Sequence, residues 1–156
     1  LCRPSASVQR IASPAPRVVN VSSVAHGRGT IDFDDLNMER GFGGYRAYAA
    51  SKLMNVLFSF DLARRLTSPF VAVNAVHPGV ITTKLLRDGF GMAGASLESG
   101  AATSLRLATD PALARVTGKY FSDQKEATAS KLAHDRATQE RLYAVSAQLT
   151  GVEPLP

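Results

Sequence analysis

"Phe70-Val-Ala-Val-Asn-Ala-Val76", followed at once by His77-Pro78-Gly79, is the stretch on which the fold turns. Its side chains are apolar at both odd and even positions except Asn74, the pattern of a strand covered on both faces. Proline cannot donate to a ladder, so Pro78 and Gly79 end it. Upstream, "Arg17-Val-Val-Asn-Val-Ser22" is a second short β-branched run and reads as another buried strand. Between them, from about 45 to 66, Leu53, Val56, Leu57 and Phe60 recur at helical spacing, and Met54, Phe58 and Leu62 widen the apolar surface. Downstream come a helix near 97–109 stopped by Asp110-Pro111, a short strand near 117–122 and a closing helix over 135–149. Strand, helix, strand, helix, strand, helix predicts a parallel α/β sheet.

A chain of 156 residues is one domain by length. Residues 1–16 mix Ser, Pro and Arg and are expected to be a weakly ordered lead-in, with the folded domain running over 17–156. The stretch 26–44 gives turn signals and no period, so it is expected as a long excursion; residues 84–95 are Gly-rich and expected to be mobile. Eighteen Lys and Arg against 13 Asp and Glu give a net charge of +5, but the basic residues are scattered, which argues against nucleic acid. No apolar run approaches the ~18 residues of a membrane span. The lone Cys2 excludes an internal disulfide and fits a reducing, cytoplasmic setting. His26, His77 and His134 are not at metal-ligand spacing with one another or with Cys2, so no metal site is expected. The chain opens at Leu1 rather than Met, as a fragment or a processed product would.

The chemistry concentrates in "Tyr45-Arg-Ala-Tyr48-Ala-Ala-Ser-Lys52-Leu-Met-Asn55". Tyr48 lies one helical turn from Lys52, whereas Tyr45 lies two turns away, and Tyr48, Lys52, Asn55 and Ser59 share a narrow polar stripe. A phenol beside an ammonium can be a proton donor and its tuner, because the positive charge favours the phenolate. Ser23 ends the strand before this helix and Pro78-Gly79 ends the strand after it, so both point at the crevice where open parallel sheets bind ligands. Ser23 polarising an oxygen, Tyr48 protonating it and Lys52 stabilising the phenolate suit a carbonyl that becomes an alcohol. The hydride must come from a cofactor, since no side chain supplies one.

"Arg-Val-Val-Asn-Val-Ser-Ser", "Tyr-x-x-x-Ser-Lys", "Val-Asn-Ala-Val-His-Pro-Gly-Val-Ile-Thr-Thr" and "Thr-Gly-Lys-Tyr-Phe", in this order, resemble the short-chain dehydrogenase/reductase family and its retinol-dehydrogenase-like branch. The likeness runs from residue 17 to about 150, and "Ile31-Asp-Phe-Asp-Asp-Leu36" is similar to an insert of that branch. The resemblance implies Ser23 as the active-site serine with Ser22 structural, Tyr48 as acid/base, and Lys52 also holding the nicotinamide ribose. It implies that Pro78, Gly79, Ile81 and Thr83 receive the nicotinamide end of NADP or NAD, Ile81 through its backbone and Thr83 through its hydroxyl. Stretch 84–95 would be a lid over an apolar substrate, and helix 45–66 a homodimer surface.

The same resemblance marks a limit. The family begins with a strand and a Gly-rich turn that seats the pyrophosphate, and only 22 residues precede Ser23 here. The chain therefore resembles the C-terminal half of a doubly wound Rossmann-type sheet, its strands being the last three, with strand 17–22 at an edge. The family's active-site asparagine is expected to be absent too, since Asn20 sits in the serine strand itself. "Gly89-Phe-Gly91-Met-Ala-Gly94" matches Gly-x-Gly-x-x-Gly, yet it neither follows a buried strand nor opens a helix, so it is not a phosphate loop. A Ser23/His26 hydrolase lacks the flanking glycines of a nucleophile elbow. The rival reading is a catalytically silent module that pairs through helix 45–66 or the edge strand.

Overall fold

The computed structural model describes residues 15–67, 70–82, 84, 88–89, 91 and 93–155. The lead-in at 1–14, Thr83 and much of the expected lid lie outside the described residues. Four strands form one sheet in the order β1-β2-β3-β4: β1 (Arg17–Val21), β2 (Ala72–His77), β3 (Lys119–Ser122) and β4 (Lys125–Ala127). The first three are parallel and in register, Val19 beside Asn74 and Ala75 beside Tyr120. This is the parallel sheet that the residue pattern predicts, limited to the last strands as the resemblance implies, and no described strand lies beyond β1.

Helix α1 (Gly44–Arg65) connects β1 to β2, α2 (Leu97–Thr109) connects β2 to β3, and α3 (Arg136–Thr150) closes the chain. Alternation along each strand sends successive side chains to opposite faces. On one face Ala75 and Tyr120 meet Leu53, Val56, Leu57 and Phe60 of α1, and Leu142 of α3 seals that cluster. On the other face Val76 and Phe121 meet Leu107 of α2, with Val19 alongside. The one polar side chain inside β2, Asn74, is satisfied: it donates to the Val116 carbonyl at 2.7 Å and accepts from the Lys119 amide at 3.0 Å. An unsatisfied amide there would cost about 1–3 kcal/mol.

The far end of α1 is fixed by charge. Asp61 is fully buried and accepts from both Arg64 and Arg65, while Arg64 also reaches Gln139 of α3 at 3.3 Å and the Arg65 guanidinium lies 4.1 Å from the Tyr143 ring centroid. Excursion 26–44 is held down as well. Arg40 bridges Asp32 at 3.1 Å and Asp35 at 3.4 Å, Ile31 and Phe33 pack on the α1 core, and Arg141 stands 4.2 Å from the Phe33 ring centroid.

Two features differ from the sequence reading. Strand β2 starts at Ala72 rather than Phe70, because Phe70 sits in a turn with the Arg115 guanidinium 4.8 Å from its ring centroid. Strand β4 was not expected. Its turn, Asp123-Gln124, takes left-handed φ angles of 48° and 61° with no glycine, and its three residues are mostly exposed, so neither turn chemistry nor alternation announces it.

Candidate active site

The polar stripe of α1 lies along the end of β1. Lys52 and Asn55 both donate to the Val21 carbonyl, Nζ at 3.5 Å and Nδ2 at 3.0 Å, and Ser59 accepts from Asn20 Nδ2 at 2.8 Å. Three successive members of the stripe thus face one strand. The Lys52 ammonium stands 5.6 Å from the centroid of the Tyr48 ring. Tyr48 is half-buried, whereas Tyr45 is half exposed and has no part in this contact. Tyr120 is the opposite case: burial under α1 pushes its phenol up to about 12, far from proton transfer at neutral pH.

The two serines after β1 diverge in their partners. Ser22 donates from Oγ to the Lys52 carbonyl at 2.7 Å, and its amide continues the ladder to the Val76 carbonyl at 2.7 Å. It is fully used by the backbone around it. Ser23 caps a short 3-10 turn (Val24–Arg28), its Oγ accepting from the Ala25 amide at 3.2 Å. A capping hydroxyl accepts with a lone pair and keeps its own proton for another acceptor. His26 secures the turn: Ser130 N–H donates to Nε2 at 3.1 Å, which leaves the proton on Nδ1 to donate to the Ser23 carbonyl at 2.7 Å. With both nitrogens occupied, His26 is a brace between the serine turn and the segment before α3.

After β2, Pro78 and Gly79 turn the chain, Gly79 at φ 97°, where any side chain is strained. Ile81 then forms a parallel bridge with Ala95. Thr83 lies outside the described residues. Together with Asp123 and Gln124 of the β3–β4 turn, this loop borders a cavity of about 240 Å³ floored by Ser99 and Thr103 of α2. His77 sits just below, its Nδ1 buried without a hydrogen bond; burial holds its pKa under the ordinary 6.5, against the opposing pull of Asp123.

The residue pattern puts Ser23 and Pro78-Gly79 at the ends of two strands and Tyr48 and Lys52 on the helix between them. In the structure β1 and β2 are neighbours, the Ser22 amide meets the Val76 carbonyl and Lys52 reaches the Val21 carbonyl, while Ile81, named through the resemblance, follows β2. Asn55 was read only as a stripe member; its shared acceptor with Lys52 is new, and the i, i+3 spacing between them was the available signal. Within the stretch 89–94, Gly94 is packed on the loop after β2. A Cβ on Gly94 would lie 2.1 Å from the Val80 carbonyl oxygen, so that glycine faces protein backbone. Among the described residues no cluster of three potential metal ligands occurs, and no helix is long and apolar enough to cross a membrane.

No family model matches the chain. Retinol dehydrogenase 12 from Homo sapiens is 43% identical over 152 residues, covering 92% of this chain and 48% of its own length. The chain thus spans about half the length of the curated relatives it matches. Among solved structures, an uncharacterized protein from Mycobacterium Paratuberculosis superposes with a TM-score of 0.73 at 31% identity, over 91% of this chain and 52% of that one. An NADPH-bound carbonyl reductase from chicken fatty liver shares the fold, with a TM-score of 0.53 at 16% identity over 72% of this chain and 42% of that one. By sequence and by fold, the chain is a homologue of the retinol dehydrogenases within the short-chain dehydrogenase/reductase family, matching about half of such a protein.

Proposed function

We propose that this chain carries the proton-transfer half of an NADP- or NAD-dependent oxidoreductase that interconverts a carbonyl and an alcohol on an apolar small molecule. The observation that supports it most is the Lys52 ammonium, held between the Val21 carbonyl and the Tyr48 ring at the end of β1. In the reducing direction, Ser23 Oγ–H hydrogen-bonds the substrate oxygen and Tyr48 delivers its phenolic proton to that oxygen. Lys52 then stabilises the phenolate by its charge. Asn55 supports this by sharing the Val21 carbonyl, which keeps the Lys52 side chain along β1. The nicotinamide dinucleotide supplies the hydride when bound. Lys52 would hold its ribose, and the backbone of Pro78, Gly79 and Ile81, with the Thr83 hydroxyl, would receive the nicotinamide. The residues fit this end of the cofactor: a turn with positive φ at Gly79 leaves backbone accessible, and no side chain of its own fills the approach. Gly94, the last glycine of the Gly-x-Gly-x-x-Gly match, is packed against the Val80 backbone. The names of the relatives, retinol dehydrogenases, favour an apolar alcohol or aldehyde; a cytoplasmic setting is part of the same reading.

The test is binding, then chemistry. With a dissociation constant near 100 μM, 1 mM NADPH or NADH should stabilise the chain by about 1.4 kcal/mol, a rise of about 4 °C in the melting midpoint for a domain of this size. No shift with either dinucleotide would sink the reading for this chain. Joined to the half of a relative that it does not span, the chain should reduce an apolar aldehyde, and Tyr48→Phe should slow that reaction about 100-fold or more.

A second reading, a catalytically silent module that pairs with another chain, is favoured by one observation. The outer edge of β1 has no described strand beside it, and Val21 at its end is 47% exposed. Pairing through that edge or through α1, including a homodimer on α1, belongs to this reading.

A further inference from the structure

Loop 78–82 is closed by a clasp that involves neither Tyr48 nor Lys52. The chain leaves the loop at Thr82 and returns at Gly94. There Thr82 Oγ1 donates to the Gly94 carbonyl and accepts from the Gly94 amide, both at 2.8 Å. Thr82 N–H donates to the Ala95 carbonyl at 3.0 Å, and Ala95 N–H donates to the Val80 carbonyl at 2.8 Å. Four hydrogen bonds tie Val80 and Thr82 of the loop to Gly94 and Ala95. The approach is so close that only glycine serves at 94, since a Cβ there would meet the Val80 carbonyl carbon at 2.6 Å.

The chain then enters α2, whose first turn is capped by Ser96 accepting from the Ser99 amide at 3.2 Å. One turn further, buried Gly100 presents bare backbone to the Ile81 side chain. A Cβ at 100 would lie 2.6 Å from Ile81 Cγ1, 3.0 Å from Cδ1 and 3.1 Å from Cγ2, closer than packed atoms stand. The next turn of the same face carries Thr103, whose Oγ1 accepts from the Gln124 amide at 3.1 Å and so fixes the opposite wall of the cavity. One face of α2 therefore positions both the loop and the hairpin tip across from it.

We infer that Gly100 and the Thr82–Gly94 clasp are positioning elements that set where the backbone of Ile81 stands, and with it the seat of the nicotinamide. This rests on the oxidoreductase reading for its ligand, though the placement of the loop does not. Neither element touches the reacting atoms. Their effect passes through Ile81, which makes the claim separable from a general role in folding.

The experiment measures amide exchange and NADPH affinity in wild type, Gly100→Ala, the double variant Gly100→Ala/Ile81→Ala and Thr82→Val. Gly100→Ala should speed exchange of the Thr82 and Ala95 amides about tenfold while leaving those of β2 unchanged, and should weaken NADPH about tenfold. Removing the Ile81 side chain should return both values to within about threefold of wild type, because the methyl at 100 then has room. Thr82→Val keeps the shape, loses the two side-chain hydrogen bonds, and should raise the same two exchange rates about fivefold. It serves if Gly100→Ala does not fold. Exchange unchanged at Thr82 and Ala95, NADPH bound as tightly as by wild type, or a loss that Ile81→Ala does not restore would each overturn the inference. If wild type binds neither NADPH nor NADH, the oxidoreductase reading falls, and exchange with its rescue alone decides whether Gly100 places the loop.

Discussion

The two halves of α1 are built on opposite principles. At residues 59–65 the helix buries Ser59 and Asp61, the latter fully enclosed and clamped by the partly exposed Arg64 and Arg65, which tie on to α3. At residues 48–55 it keeps Tyr48, Lys52 and Asn55 half-buried beside the end of β1, with Lys52 and Asn55 sharing one carbonyl of that strand. The difference teaches where this helix is a strut and where, under the proposed function, it is a working surface. Charges that must only hold can be desolvated and paired once. Charges that serve a ligand must keep part of their hydration and a spare hydrogen bond.

Breaking the strut should have the largest effect. Asp61→Ala removes the shared partner of Arg64 and Arg65, whose side chains are partly hydrated, and should cost about 2–3 kcal/mol. Urea unfolding checks it, and a loss under 1 kcal/mol would mean the cluster is no brace. Next comes the join between the halves, where Asn20 meets Ser59. Asn20→Ala removes one partly buried hydrogen bond and should cost about 1 kcal/mol, with the response to NADPH or NADH unchanged. A mutant as stable as wild type would show that this contact adds nothing to the packing of α1 on β1.

The smallest effect is a pH dependence at the working end. Burial lowers the His77 pKa below its ordinary 6.5, so the unfolded chain takes up that proton more readily than the folded one. Stability from this group is complete above pH 6.5 and declines as the pH falls through 6.5 toward the folded value, levelling off beneath it. Asp123 pulls the other way and His26 pushes with the burial, so the net effect should be modest. The melting midpoint should fall between pH 7 and about pH 5.5, less steeply in His77→Gln than in wild type. Parallel curves for the two proteins would remove His77 as the source.

Much of this was legible in the residues, and for identifiable reasons. The three helices and the three parallel strands announced themselves through β-branched runs, helical spacing and stops such as Asp110-Pro111. Ser23, Tyr48 and Lys52 stood out because the proposed chemistry needs those residue types at those intervals. The inward face of α2 was not, since its buried residues are Gly100, Thr103 and Leu107 while Leu97 and Leu105 are 64% and 59% exposed. A hydrophobic stripe read there picks the wrong side. The clasp was equally hidden, because it rests on the Thr82 hydroxyl, on backbone groups well separated along the chain, and on a glycine inside a motif that suggests phosphate. Hairpin β3–β4 escaped for want of a glycine in its turn.

The outer edge of β1, with no described strand beside it, has a consequence of symmetry. Every ladder that β1 makes within the described sheet is parallel. A two-fold axis, however, can bring two copies of β1 together only antiparallel. Self-association along this edge would therefore create an eight-stranded sheet whose polarity reverses at its centre, with the two Ser23 turns at opposite ends. Completion by a different segment running alongside β1 would continue the parallel order and bring a further strand end to the same crevice. Strand polarity at this single edge distinguishes a chain that closes on itself from one completed by another segment.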